Sequence, residues 1–283
     1  MKDKIFQTAS FISAAISLLL LVAIFFYLLS ESLPAIKHFG LFDFISSTEW
    51  VEKEGEEHYG AGAFIIGTFL TATLALIISI PFSSSLTLLI TEYWAETRAA
   101  SFLNSLLLLC VNIPTIIWGI WGYFSLRPVF ESLGIGSSGT GILTTSVALA
   151  IMITPTASLL SVSFASKIDR RLRETAYSLG ATRFDIIRKI SFPLARKSYL
   201  ISYLFAFGKA LGETLIVVML IGNTNQIPQK ITDTGSSLSS IILNQFESAG
   251  DLKFSSLVAL GFILFISTAL VNFTARYIRR VKV

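Results

Sequence analysis

The sequence predicts an all-α integral membrane protein of six transmembrane helices, and three observations carry that reading. Its 283 residues are 53% apolar and only 14% charged, against about 25% charged in an ordinary soluble domain. Mean hydropathy is +0.71. The apolar residues also fall in long blocks: no Asp, Glu, Lys or Arg lies between Lys4 and Glu31, His58 and Glu92, Arg98 and Arg127, Glu131 and Lys167, or Lys253 and Arg276. Each block exceeds the about 20 residues that cross about 30 Å of hydrocarbon at about 1.5 Å per residue.

The first span is placed at 8–30. MKDK gives it the basic start of a signal peptide, but the apolar core is longer than a signal h-region and no small-residue cleavage site follows, so it is read as a retained helix. A loop over 31–62 comes next, carrying Glu49, Glu52, Glu54, Glu56, Glu57 and His58. These acids lack the spaced oxygen ligands and turn glycine of a calcium loop, so the loop is read as solvated and no metal is assigned.

Spans two, three and four are placed at 63–91, 101–125 and 141–165. Pro81, Pro114 and Pro155 lie one in each, where proline frees a carbonyl and kinks the helix. With Gly119, Gly122, Thr68, Thr71 and Thr73 they suit close packing and a polar path. The fifth span covers 198–222 and the sixth 255–276. Cys110 is the only cysteine, which excludes an internal disulfide.

Six spans place sixteen of the 22 Lys and Arg residues on the side of the termini and five on the other, with Lys209 between. The termini are therefore expected in the cytoplasm. Acids divide the other way, six against eleven, so the net charge of +4 conceals a basic and an acidic face. The balance reflects topology rather than nucleic-acid binding. An acidic outer face repels anions within a Debye length of about 8 Å, which suits delivery by a carrier.

Lys209 and Glu213 stand inside the fifth span. Each costs about 2.5 to 3.5 kcal/mol at a helix centre, and twelve Leu, Ile, Phe and Val residues return about 4 to 7 kcal/mol in total, so insertion is near balance and the helix belongs inside protein. At i and i+4 the two charges are expected to share a face and pair. A structural ion pair and an anion site both remain open on this evidence.

Between spans four and five lies KIDRRLRETAYSLGATRFDIIRKISFPLARK, which reads as two short helices on a cytoplasmic hairpin. Ser166 with Asp169 forms one capping box and Thr182 with Asp185 a second. Ile168, Leu172, Ala176 and Leu179 follow i, i+4 spacing, Gly180 ends the first helix, and Phe184, Ile187 and Ile190 line the second until Pro193 stops it. The basic face could meet anionic lipid; the capped turns favour a shaped docking element.

Here ETAYSLGATRFDIIRKISFP resembles the EAA loop of ABC-importer permeases, with Glu174, Ala176, Gly180, Ala181, Ile187 and Pro193 at the matching positions and Thr175 where Ala is usual. The resemblance implies the type I importer permease fold, and that this hairpin docks on a separate cytoplasmic ATPase. The chain has no GxxxxGK[ST] phosphate loop of its own, so it is expected to be no enzyme and to bind no cofactor.

SLPAIKHFGLFDFISSTEW, GAFIIGTFLTATLALIISIP, NIPTIIWGIWGYF and GKALGETLIVVMLIGN are together similar to the PstC permeases of phosphate-specific ABC importers. Ser83, Ser84 and Ser85 replace glycine-rich sequence there, and Lys209 stands where Arg is usual. The family implies a PstA-like second permease, a PstB-like ATPase dimer and a PstS-like phosphate-binding protein outside an inner membrane, with Lys209, Glu213 and Thr214 on the phosphate path. Two other readings are a permease for molybdate or sulfate and an ion-coupled secondary carrier, although no internal repeat of the carrier kind is evident.

Overall fold

The computed structural model describes residues 2–53, 57–136 and 138–280, so Glu54 and Glu56 of the acidic loop lie outside the described residues. In chain order the helices are α1 (Lys2–Phe39), α2 (Leu41–Ser46), α3 (Gly62–Leu88), α4 (Arg98–Val111), α5 (Thr115–Trp121), α6 (Arg127–Ser132) and α7 (Ile142–Ala165), then α8 (Arg170–Ser178), α9 (Arg183–Ile186), α10 (Phe192–Leu211), α11 (Leu215–Leu220), α12 (Leu238–Gln245) and α13 (Asp251–Arg280). Three π-turns, Leu89–Tyr93, Gly122–Leu126 and Ile187–Ser191, extend α3, join α5 to α6 and join α9 to α10. One feature escapes the all-α expectation: Trp50–Val51 and His58–Tyr59 form a short antiparallel pair, β1 and β2, within the acidic loop.

Four helices are each long and apolar enough to cross a membrane, namely those over Phe6–Phe39, Gly62–Tyr93, Ile142–Ala165 and Asp251–Arg279. A fifth exists if α4 and the α5–α6 segment count as one span bent by 91°. The sequence reading put single helices over 101–125 and 198–222, and both are broken. At the first break Pro114 caps α5 with φ −54° and ψ 136°; lacking an N–H, it cannot continue the α4 ladder. At the second, Gly212 closes α10 and Thr214 opens α11. Pro81 and Pro155 stay inside continuous helices, α3 and α7.

α3 and α7 run parallel, and α10 runs antiparallel to both. Their contact is built from small residues, Ala72, Ala75 and Ser79 on α3 and Ala150, Ala157 and Ser158 on α7, all buried, because apolar tails leave helix association to close approach. Several hydroxyls bond within their own helix, Thr71 donating to Gly67 O at 2.8 Å, Ser83 to Ser79 O at 2.8 Å and Ser158 to Thr154 O at 2.8 Å, whereas Ser161 Oγ of α7 is buried without a partner among the described residues. Hydroxyl bonds also tie α3 to its neighbours, Thr154 of α7 donating to Ser79 at 3.0 Å and Ser84 bonding Tyr203 of α10 at 2.7 Å.

α1 and α13 lie antiparallel, through Phe25 against Phe262 and Phe265 and through Ala35 N–H donating to Ser255 Oγ at 2.9 Å. The end opposite the termini is closed by a second apolar cluster of Phe44, Trp50, Tyr59, Phe64, Leu238 and Leu257. Glu52 accepts from Lys253 Nζ there at 2.8 Å and from the Trp50 indole. Burial raises the carboxyl pKa, but these donors outweigh it and the net shift is downward.

Several residues read as suiting close packing and a polar path are closely packed. Thr68 is buried and accepts from Leu238 N–H at 2.9 Å, while Gly119 and Gly122 let α5 sit against Met219 and Leu220 of α11. Gly67 is the tightest such contact: a Cβ there would stand 2.1 Å from Ser236 O, a backbone atom. Gly67→Ala should therefore destabilise the fold by about 1–3 kcal/mol, the usual cost of overpacking, visible as a lowered melting temperature in detergent.

Candidate functional site

Lys209 lies in the last turn of α10 and Glu213 in the break that follows. The expected i, i+4 pair on one helix is thus overturned. The helix ends at Leu211 because Gly212 takes the C-cap, and among the described residues no ion pair within 4.0 Å joins the two charges. Lys209 is half-buried and donates to Thr156 Oγ1 of α7 at 3.2 Å. An ammonium has three donors, and among the described residues one is engaged. Asn272 of α13 stands beside the neighbouring Gly208.

Depth follows from the partner helix. Thr156 is fourteen residues from the start of α7 and nine from its end, or about 21 Å and about 14 Å at about 1.5 Å per residue. Lys209 therefore meets α7 well inside its apolar length. Glu213 is buried at 8% exposure. Its carboxylate accepts from Ile216 N–H at 3.5 Å and its carbonyl from Ser239 Oγ at 2.9 Å, so it holds the broken backbone between α10 and α11 to α12. Thr214 is the half-buried N-cap of α11. Together these groups place a cation, a buried carboxylate and a non-helical backbone segment in one stretch of six residues.

The second candidate surface is the hairpin of α8 and α9, at the end of the bundle that holds the termini. Asp169, not Ser166, caps α8, with its carboxylate accepting from Arg171 N–H at 3.0 Å, while Ser166 is the C-cap of α7. At the far end of α8, Gly180 has φ +83°. Its N–H donates to Tyr177 O at 3.0 Å, and Ala181 N–H to Ala176 O at 3.0 Å, which is the Schellman pattern that requires a left-handed residue. Thr182 and Asp185 form the expected capping box. The Lys189 ammonium and the Thr182 hydroxyl and N–H hold the Asp185 carboxyl at a pKa of about 2. A depressed carboxyl contributes stability above its ordinary range and loses it only as pH falls through the lowered value, so this cap stays intact at neutral pH.

Pro193 does not end the second helix. It sits at the start of α10, and the π-turn Ile187–Ser191 carries the chain into it, the wider turn accommodating a residue without an N–H. Ile186 is the buried anchor of the hairpin at 1% exposure, and Ile187 is half-buried. Glu174 is exposed and accepts from Arg170 Nε at 2.7 Å. Of the i, i+4 set only Ala176 is buried, while Leu179 and Phe184 project at 83% and 64% exposure.

Sequence reasoning missed the residues that fasten this hairpin. Glu92, on the π-turn below α3, accepts from Arg173 Nη2 at 2.8 Å and from its Nε at 3.2 Å. Arg170 bonds Glu96, and the Arg183 guanidinium lies 5.4 Å from the Tyr93 ring centroid. A cleft of about 710 Å³ lies between these elements.

A family model described as "Binding-protein-dependent transport system inner membrane component" matches residues 89–283. A phosphate transport system permease protein PstC from Mesorhizobium japonicum is 33% identical, with 97% of this chain and 89% of that protein covered. The PstC of Haemophilus influenzae is 32% identical over 97% and 92%, and a probable PstC of Methanocaldococcus jannaschii is 31% identical over 92% and 88%. Among solved structures, a MetNI methionine ABC transporter chain superposes with TM-score 0.60 at 16% identity, covering 77% of this chain and 94% of that one. A bacterial alginate ABC transporter chain gives TM-score 0.61 at 16% identity over 94% and 93%. At such identities the structures establish the fold alone, a helical ABC-importer permease, while the family model and the relatives above 30% identity establish descent. The chain belongs to the family of binding-protein-dependent transport-system inner-membrane components, among its PstC permeases.

Proposed function

We propose that the chain is the permease subunit that forms half of the passage of an ATP-driven phosphate importer. The observation that carries this reading is Lys209, a cation set against Thr156 well within the apolar length of α7, with donors to spare. Phosphate is bound by a lysine as a point charge, and a transport site needs attraction weak enough for release. Glu213, buried four residues further on, supplies opposing charge that keeps affinity modest. The names of the relatives support phosphate as the anion.

In this reading α4 with α5–α6 and α10 with α11 each make one broken crossing, giving six crossings with both termini in the cytoplasm of an inner membrane. The 16-to-5 division of Lys and Arg supports that orientation. Residues 1–283 act as one transmembrane domain, 31–62 as an extracytoplasmic loop and 166–197 as the cytoplasmic coupling loop. A PstA-like permease completes the passage, a PstB-like ATPase dimer receives the α8–α9 hairpin through Glu174, Ala176, Gly180, Ala181, Ile187 and Pro193, and a PstS-like protein delivers phosphate. The subunit performs no covalent chemistry.

The deciding experiment is uptake of labelled phosphate by proteoliposomes holding the four-component complex. ATP-dependent uptake, competed by unlabelled phosphate and not by sulfate or molybdate, is expected. Uptake driven by a proton gradient without ATP would replace this reading with an ion-coupled carrier, and competition by sulfate or molybdate would change the substrate.

A further inference from the structure

We infer that the Glu92–Arg173 pair is the strut through which the coupling hairpin moves α3. The inference rests on the importer reading above but not on which anion is carried. Covalent connectivity poses the problem. The hairpin is joined to α7 through residues 166–169, and to α10 through a chain that stays helical from Arg183 to Leu211. Any displacement of the hairpin therefore drags α7 and α10 by their backbones. No such link reaches α3, although α3 packs along both and bonds to them through Ser79 and Ser84.

Glu92 and Arg173 supply the missing link. Arg173 is on α8, its guanidinium engages both carboxylate oxygens of Glu92 at 2.8 and 3.2 Å, and its remaining Nη1 donates to Ile168 O at 3.2 Å. Two parallel bonds fix direction as well as distance. The side chains are 5% and 17% exposed, so water and salt screen the pair little. The other ties differ. Arg170 with Glu96 and Glu174 is 58–70% exposed, and ion pairs in that setting transmit little force. The Arg183 contact to Tyr93 O is long, 3.4 Å.

Glu92 also stands on a segment able to pass a displacement on. The π-turn Leu89–Tyr93 continues α3 directly, with Trp94 N–H reaching back to Leu89 O at 2.8 Å. Ser84 is eight residues up the same helix and Ser79 thirteen, or about 12 and about 20 Å. A push on Glu92 therefore arrives at Tyr203 of α10 and Thr154 of α7, the latter two residues from the Thr156 that holds Lys209. Arg173 and Glu92 are positioning residues that act through α3 and do not touch the transported anion.

The test uses the full complex in proteoliposomes, with Glu92→Gln, Arg173→Ala, the conservative Arg173→Lys, and the exchanged pair Glu92→Arg with Arg173→Glu. A second readout needs no substrate: Ser84→Cys in a Cys110→Ala background, labelled by a thiol reagent with and without trapped nucleotide. Glu92→Gln and Arg173→Ala are expected to retain stoichiometric ATPase and its basal hydrolysis, to move roughly tenfold less substrate per ATP, the size of a typical coupling between sites, and to lose the nucleotide dependence of labelling. Arg173→Lys should fall between, and the exchanged pair should recover both readouts.

Wild-type transport per ATP in the single variants, loss of the ATPase from them, or persistence of nucleotide-dependent labelling would overturn the strut. If a single variant fails to accumulate, the exchanged pair decides: an assembled exchanged complex that neither transports nor responds to nucleotide also overturns it. Failure of the phosphate reading looks different, because wild-type complexes would then ignore phosphate while the labelling response and its loss in Glu92→Gln remained.

Discussion

Replacing Lys209 with methionine is expected to reduce phosphate uptake by about 10- to 100-fold while leaving the permease as stable as before or more so. The two halves of that expectation have separate origins. A hydrogen bond to a charged group contributes about 1.5–3 kcal/mol, which at about 1.4 kcal/mol per decade corresponds to the stated loss of encounter with the anion. Stability moves the other way, since a lysine inside an apolar span costs about 2.5–3.5 kcal/mol and methionine removes that cost with little change of shape. Thr156 then loses a donor but keeps its own hydroxyl hydrogen, which can turn to the carbonyl of the preceding helical turn, as Thr154 and Ser158 do at 2.6 and 2.8 Å.

Lys209→Arg is the companion variant. It should retain most uptake, because a guanidinium keeps the charge. Uptake rates and melting temperatures of the purified complexes check both. Normal transport by Lys209→Met would reduce Lys209 to a helix-packing residue. Glu213→Ala is also expected to reduce uptake: it removes a buried carboxylate that forms no ion pair with Lys209 but sets negative charge near it and accepts from Ile216 N–H at the start of α11.

How much of this was legible in the sequence depends on which forces set each feature. Hydrocarbon thickness fixes the length of an apolar block, so the spans at 63–91 and 141–165 agree with α3 and α7 to within a few residues. Local backbone chemistry is equally readable: Gly180 signalled a left-handed helix end, and Thr182 with Asp185 a capping box, from four-residue patterns. The breaks were harder. Pro114 announced a kink, but the 91° turn depends on Gly119 and Gly122 seating α5 against α11, contacts about a hundred residues apart. Gly212 between Lys209 and Glu213 was the available signal that the fifth helix stops. Reading the pair at helical spacing ignored it.

The Glu92–Arg173 link was beyond reach for a related reason. Charges at the edge of a span look alike whether solvated or paired, and 81 positions separate these two. Only the parallel placement of α3 and α7 brings the end of one beside the loop that follows the other. Sequence pattern therefore located the hairpin and the half-buried cation, and tertiary packing alone supplies the contacts that run between them.

The largest effect expected at the coupling surface is loss of the ATPase from complexes carrying Leu179→Asp with Phe184→Asp. Both side chains project into solvent at 83% and 64% exposure beside the rigid turn at Gly180, an expensive arrangement for a free surface and a useful one for a knob entering a groove. Burying such a side chain contributes about 1.5–3 kcal/mol, so removing both should weaken docking by about 3–6 kcal/mol, or two to four decades in affinity. The permease itself should be unaffected, because neither residue packs inside the chain. Co-purification of the ATPase with the permease pair measures the loss, and the melting temperature of the pair without ATPase supplies the control. Gly180→Val attacks the same surface from within: a branched residue at φ +83° costs at least about 1–2 kcal/mol and unwinds the turn that aims Leu179, so capture should fall although no contacting side chain is altered. Full ATPase retention by the double aspartate variant, together with weaker partition of the hairpin onto anionic liposomes, would instead make this face a lipid-contacting surface.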